Sequence, residues 1–145
     1  MSSALTELRI ELEAWCQSYV EAFSAYDAES VTAHWGFPAV TTQSGRSFAF
    51  KSAEHFARNT GLLLGFYKAQ NVAKVERTIT HCHLLHRDTA SMIVSDTMYT
   101  PEGDTIVSWQ AAYVLQRRDG DWKAVMAAAD GETDAWAARG TPLGS

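Results

Sequence analysis

With 145 residues, 46% of them hydrophobic and 11% aromatic, the chain has the size of one domain and enough apolar side chain for a core, which excludes a disordered segment. Its net charge of -5, from 17 acidic and 12 basic residues with no basic run, argues against a nucleic-acid partner. No apolar stretch approaches the ~20 residues of a membrane helix, and the opening MSSALTELRIELEAW lacks an apolar signal segment, so no membrane contact and a cytoplasmic location are expected.

Leu5, Leu8, Leu12, Trp15, Tyr19 and Phe23 recur every three or four positions and predict a long amphipathic first helix. Cys16, inside it, and Cys82 share no metal-like or redox spacing and are expected as buried free thiols. Asp27 can cap a short second helix that runs to about His34. FPAVTTQ then reads as a strand with Pro38 at its start, and SGRSFAF as its hairpin return. Ser52 can cap a third helix that carries Phe56, Leu63 and Leu64 to the core and ends near Gly65. From Val72 the pattern turns to strands separated at Arg87-Asp88, Glu102-Gly103 and Asp119-Gly120, each a candidate two-residue hairpin turn. Helices first and a four-strand meander last is an α+β arrangement. Residues 131–145 carry few strand signals and are expected to form a loose tail beyond a core of residues 5–130.

Two-residue turns set the register of each hairpin. They predict the rows His83-Met92-Tyr113-Met126, His81-Val94-Ala111-Ala128 and Ile79-Asp96-Trp109-Asp130, with Arg77 opposite Met98. This face holds the Met, Val, Trp and Tyr residues and should look towards the helices. The opposite face, with Thr78, Ser91, Ser95, Ser108 and Gln110 among Ile93, Val114 and Val125, suits water or a homodimer contact. Carboxylates are costly to bury unpaired. Asp96 and Asp130 must therefore find partners or line a hydrated hollow, and Arg77 is a diagonal neighbour able to pair with Asp96. Two histidines, His81 and His83, point the same way, but Met92 and Val94 face them, so no metal site is expected. No nucleophile–base pairing and no Gly-rich phosphate loop is present, and no cofactor is expected.

The run WCQSYVEAFSAYDAESVTAHWGFPAVTTQSG resembles the opening of nuclear-transport-factor-two-like (SnoaL-like) proteins, and YVLQRRDGDWKAVMAAAD resembles their terminal hairpin. The resemblance spans nearly the whole chain, 1–145, as one domain. It implies a cystatin-like α+β roll: three helices on a strongly curved, mostly antiparallel six-stranded sheet that forms a cone-like pocket. Such proteins include ketosteroid isomerases, polyketide cyclases, dehydratases and non-catalytic binding or assembly modules, so the fold leaves the activity open. The isomerases' hydrogen-bonding tyrosine falls on Tyr19, but their general-base aspartate falls on Gln43 and their second aspartate near Ala111. Isomerisation by that route is therefore not expected. The cyclases' aspartate falls near Ala129 or Asp130.

These observations predict a pocket for a small hydrophobic molecule lined by Trp35, Gln43, Phe56, His83, Met92, Trp109, Tyr113 and Met126. The acid–base candidates are Asp130 or Asp96 as base, with His81 or Tyr19 donating to developing oxyanion charge. The chemistry would be proton abstraction beside a carbonyl, or dehydration. The competing readings are a non-catalytic ligand-sensing module and a homodimeric assembly module.

Overall fold

Leu8, Leu12, Trp15 and Tyr19 become one buried face of α1 (Ala4–Ser24) in the structure, a computed structural model that describes residues 4–143. Asp27 caps α2 (Ala28–Ala33), its carboxylate accepting from the Ser30 amide at 3.1 Å. The hairpin of β1 (Trp35–Gln43) and β2 (Arg46–Phe50) turns on Ser44 and Gly45, both left-handed at φ 53° and 74°. Pro38 lies where β1 interrupts its pairing with β6, so no ladder donor is lost.

Ser52 caps α3 (Ala53–Ala69), which continues past the expected stop at Gly65. The extra turn buries Tyr67 beside Phe56, Thr60 and Leu64, and that burial outweighs the cost of about 1 kcal/mol for a helical glycine. Then come β3 (Lys74–His86), β4 (Thr89–Tyr99), β5 (Thr105–Arg118) and β6 (Asp121–Ala128). The sheet order is β2-β1-β6-β5-β4-β3, with only β1 and β6 parallel. The class is α+β, as expected, with the predicted six-stranded, mostly antiparallel sheet.

A fourth helix departs from the expectation of three. Residues 131–139, read from the sequence as the beginning of a loose tail, form α4 (Asp130–Arg139) together with Asp130, and Gly140 ends it in the left-handed conformation at φ 88°. Trp136 on this helix is fully buried, its ring edge-on to Phe66 at 5.0 Å and stacked with Tyr67 at 6.1 Å. Burial of a whole indole is enough to dock a short helix of modest propensity. No helix among the described residues is long and apolar enough to cross a membrane.

The predicted β4–β5 register is observed: Met92–Tyr113, Val94–Ala111, Asp96–Trp109 and Met98–Val107. The other two hairpins begin at the expected turns and then slip. Irregularities between Leu84 and His86 and between Ile79 and His81 give Cys82–Met92, Ile79–Val94, Arg77–Asp96 and Val75–Met98. A one-residue bulge exchanges the two faces of a strand. Here it places the Cys82 thiol inside and exposes His81 and His83 on the outer side, which spares two imidazoles from desolvation. A third irregularity, between Val114 and Leu115 against β6, sets Val114 opposite Met126 and Tyr113 opposite Ala127. Met126 therefore faces outward, and β6 ends before Asp130 can meet Trp109.

Candidate functional site

Between the sheet and α1, α2, α3 and α4 lies a cavity of about 130 Å³. An aliphatic cavity of about 150 Å³ holds one benzene ring, so this space suits a molecule of about one ring. The room exists because the floor is alanine: Ala111, Ala127, Ala128 and Ala129 line it, with no side chain beyond a methyl group, where the walls present rings. Tyr19 and Phe23 of α1, Trp35 of β1, Phe56 and Tyr67 of α3, and Trp109 and Tyr113 of β5 form those walls. Trp35 and Phe56 pack at 4.7 Å between ring centres, and Trp15 backs Tyr19 at the same distance.

Polar groups enter this aromatic wall in three sets. In the first, Arg77 and Asp96 face each other across β3 and β4 in a two-pronged ion pair, Nε to Oδ1 at 2.7 Å and Nη2 to Oδ2 at 2.8 Å, with both side chains almost wholly buried. The Arg77 guanidinium also lies over the rings of Tyr19 and Tyr113, at 5.2 and 4.6 Å. The structural pairing anticipated for Asp96 is thus present, made directly across the ladder rather than diagonally.

The second set is the two phenols. Tyr113 Oη accepts from Arg77 Nη2 at 2.9 Å, and Tyr19 Oη accepts from Trp35 Nε1 at 2.9 Å. Among the described residues neither hydroxyl proton has an acceptor. Burial raises both phenols' pKa, well above the ordinary tyrosine value for Tyr19, so both stay protonated and able to donate.

The third set was not anticipated from the sequence: Glu132, in the first turn of α4. Its Oε2 accepts from the Tyr67 hydroxyl and from Trp136 Nε1, the latter at 3.2 Å. Burial pushes its carboxyl up to about 7, against the opposing pull of the Tyr67 and Trp136 hydrogen bonds. Gly131 seats this turn against β5, because a Cβ there would collide with the Gln110 carbonyl oxygen. Gly131 before an acidic first turn, Trp136 four residues after Glu132 and Gly140 at the end are ordinary helix signals, and they were the available clue.

Of the residues singled out in the sequence, the cavity brings together Tyr19, Trp35, Phe56, Asp96, Trp109 and Tyr113. It does not bring in His81, His83 or Met126, which the bulges turn to the outer face with Ile93 and Val114. Met92 is fully buried under α1, its sulfur 3.8 Å from that of Cys16, and lies off the cavity. Gln43 ends β1 beside its turn, one strand period beyond the lining residue Thr41. Asp130 is exposed and its carboxylate accepts from the Ser44 amide at 2.5 Å, tying α4 to the β1–β2 turn.

A sheet curved around an aromatic cavity and closed by helices defines a cystatin-like fold, and solved structures of that class superpose on the chain. An NTF-2 like protein of unknown function from Shewanella oneidensis matches with a TM-score of 0.66 at 11% identity over 83% of this chain and 96% of that one. A domain of unknown function with a cystatin-like fold from Nostoc punctiforme gives 0.67 at 15% identity over 88% and 77%. A ketosteroid isomerase-like protein from Erwinia carotovora gives 0.60 at 17% identity over 82% and 92%. At these identities the likeness concerns the fold. No curated protein sequence matches the chain. The family model described as NTF2-like protein (DUF6841) matches residues 10–132, and the chain belongs to that family.

Proposed function

We propose that this NTF2-like protein binds a small, largely apolar organic molecule of about one ring that carries an oxygen acceptor. The observation that carries the reading is the alanine-floored aromatic cavity with the Tyr19 and Tyr113 hydroxyl protons uncommitted. Pockets of this kind gain affinity from apolar walls and orientation from a few placed polar groups. A carbonyl oxygen between the two phenols would take both protons. Charge developing on that oxygen would strengthen both bonds, so the same cavity suits proton transfer beside a carbonyl. A non-catalytic sensing role would use the cavity without the chemistry.

Cyclohexanone, titrated against the protein and followed by tryptophan fluorescence, tests the binding. Tyr19→Phe and Tyr113→Phe should each weaken it by about tenfold, the equivalent of one lost hydrogen bond of about 1.4 kcal/mol. Benzene, which has no acceptor, should bind all three proteins alike. Unchanged cyclohexanone affinity in both variants, or no binding to the wild type, defeats the reading.

A second reading concerns the outer face of the sheet, where Ile93 is 40% exposed. Ile93 lines an apolar groove there with Val114 and Met126, which suits a second copy of the chain. Light scattering should return twice the chain mass of 16.0 kDa. The monomer mass would remove this contact.

A further inference from the structure

We infer that Glu132 is the group that moves the proton in this cavity, acting through Oε1 on a carbon next to the carbonyl of a small ketone or enone. The inference rests on the binding reading above and adds the base that it lacks.

Four observations converge on this residue. Glu132 lines the same cavity as Tyr19 and Tyr113. Both of its hydrogen bonds, from Tyr67 and Trp136, fall on Oε2, so Oε1 has no donor among the described residues. It enters no ion pair among those residues, in contrast to Asp96, whose two oxygens are both held by Arg77. The remaining candidates point elsewhere: Asp130 is exposed at the β1–β2 turn, and His81 is exposed on the outer face.

The arrangement of its partners also matters. Tyr67 and Trp136 are neutral donors, so they orient the carboxyl without pinning it as a permanent anion, as an arginine would. Burial raises its proton affinity towards neutrality, where a carboxyl can both accept and return a proton.

The step balances without a co-reactant. Oε1 takes the proton from the α-carbon, the C–H electron pair becomes a carbon–carbon double bond, and the carbonyl π pair moves to oxygen. The Tyr19 and Tyr113 hydroxyls hold that oxygen. The now neutral Glu132 returns the proton, either to the same carbon or, in an enone, to the carbon at the other end of the conjugated system, which moves the double bond.

The test is exchange of the α-hydrogens of cyclohexanone in deuterated water, followed by proton NMR. Wild type should accelerate exchange, with the rate rising to a plateau above a midpoint of about 7. Glu132→Gln, whose amide oxygen can still accept from Tyr67 and Trp136, should bind cyclohexanone within about threefold of wild type. It should lose at least about 100-fold in exchange, the usual span of general-base assistance. Carbon-13 titration of the wild-type glutamate carboxyls supplies a second readout that needs no variant: the Glu132 midpoint must coincide with that of the rate profile. Bound ketone without accelerated exchange, full exchange in Glu132→Gln, or a Glu132 midpoint near the ordinary 4.5 overturns the inference and leaves the binding reading standing. Absence of cyclohexanone binding in wild type overturns both.

Discussion

Asp96→Asn should lower the stability of the protein by about 3–5 kcal/mol, the usual loss when one member of a buried ion pair is removed. Asp96 and Arg77 are 3% and 4% exposed at their side chains, and two short hydrogen bonds join them. The asparagine retains one acceptor, but the guanidinium is left charged in a largely apolar surround, beside Tyr113 Oη and the faces of Tyr19 and Tyr113. For a chain of this length the change corresponds to a fall in melting temperature of about 10–15 °C. The double variant Asp96→Leu/Arg77→Met should recover much of the loss, because paired buried charges replaced together by apolar residues are often nearly neutral. Thermal melts of wild type and the two variants decide the matter. A single variant within about 2 °C of wild type would show that the pair carries no structural weight and would reopen Asp96 as a proton acceptor.

Between pH 5 and pH 8, wild type should lose stability that Glu132→Gln keeps. The Glu132 carboxyl has its pKa at about 7 in the folded protein, raised by burial, against an ordinary value of 4.5. Below about 4.5 both states hold the proton. Between about 4.5 and 7 the folded state retains a proton that the unfolded state has released, so stability falls as pH rises, and above about 7 the loss is complete. At about 1.36 kcal/mol per pH unit the full loss is about 3 kcal/mol. Glutamine has no such titration, so the difference between wild-type and variant unfolding free energies, measured in urea at several pH values, isolates the group from every other carboxylate and histidine. Parallel curves would place Glu132 in water with an ordinary carboxyl, and the acid–base reading of the cavity would go with it.

Much of the site was legible before any coordinates. The spacing that predicts α1 also aims Tyr19 inward, and the β4–β5 register, read from one turn, put Asp96, Trp109 and Tyr113 on the cavity side. The turn itself departs slightly from expectation, since Tyr99 pairs with Thr105 after an irregularity next to Met98, yet the body of the hairpin keeps its register. Three of the misses share one origin. His81, His83 and Met126 were placed by assuming unbroken alternation from a turn, and one bulge in each hairpin reversed them. Nothing local marks a bulge, because its free energy depends on which residues the opposing elements can bury. Glu132 was missed for a related reason. Its helix has weak apolar patterning, and only the hydrophobic site formed by Phe66 and Tyr67 makes Trp136 worth burying there.

The amino-acid order by itself therefore determined the first three helices and the strands, the caps at Asp27 and Ser52, the turn positions and the aromatic supply of the cavity, since these follow from periodicity and local backbone preference. Tertiary structure decided which faces the bulged strands present, that Asp96 is spent on Arg77, and that a carboxyl from the last helix reaches the cavity. Those outcomes are settled by desolvation: each bulge and each docked turn is where a charged or aromatic side chain found the least costly place to lie.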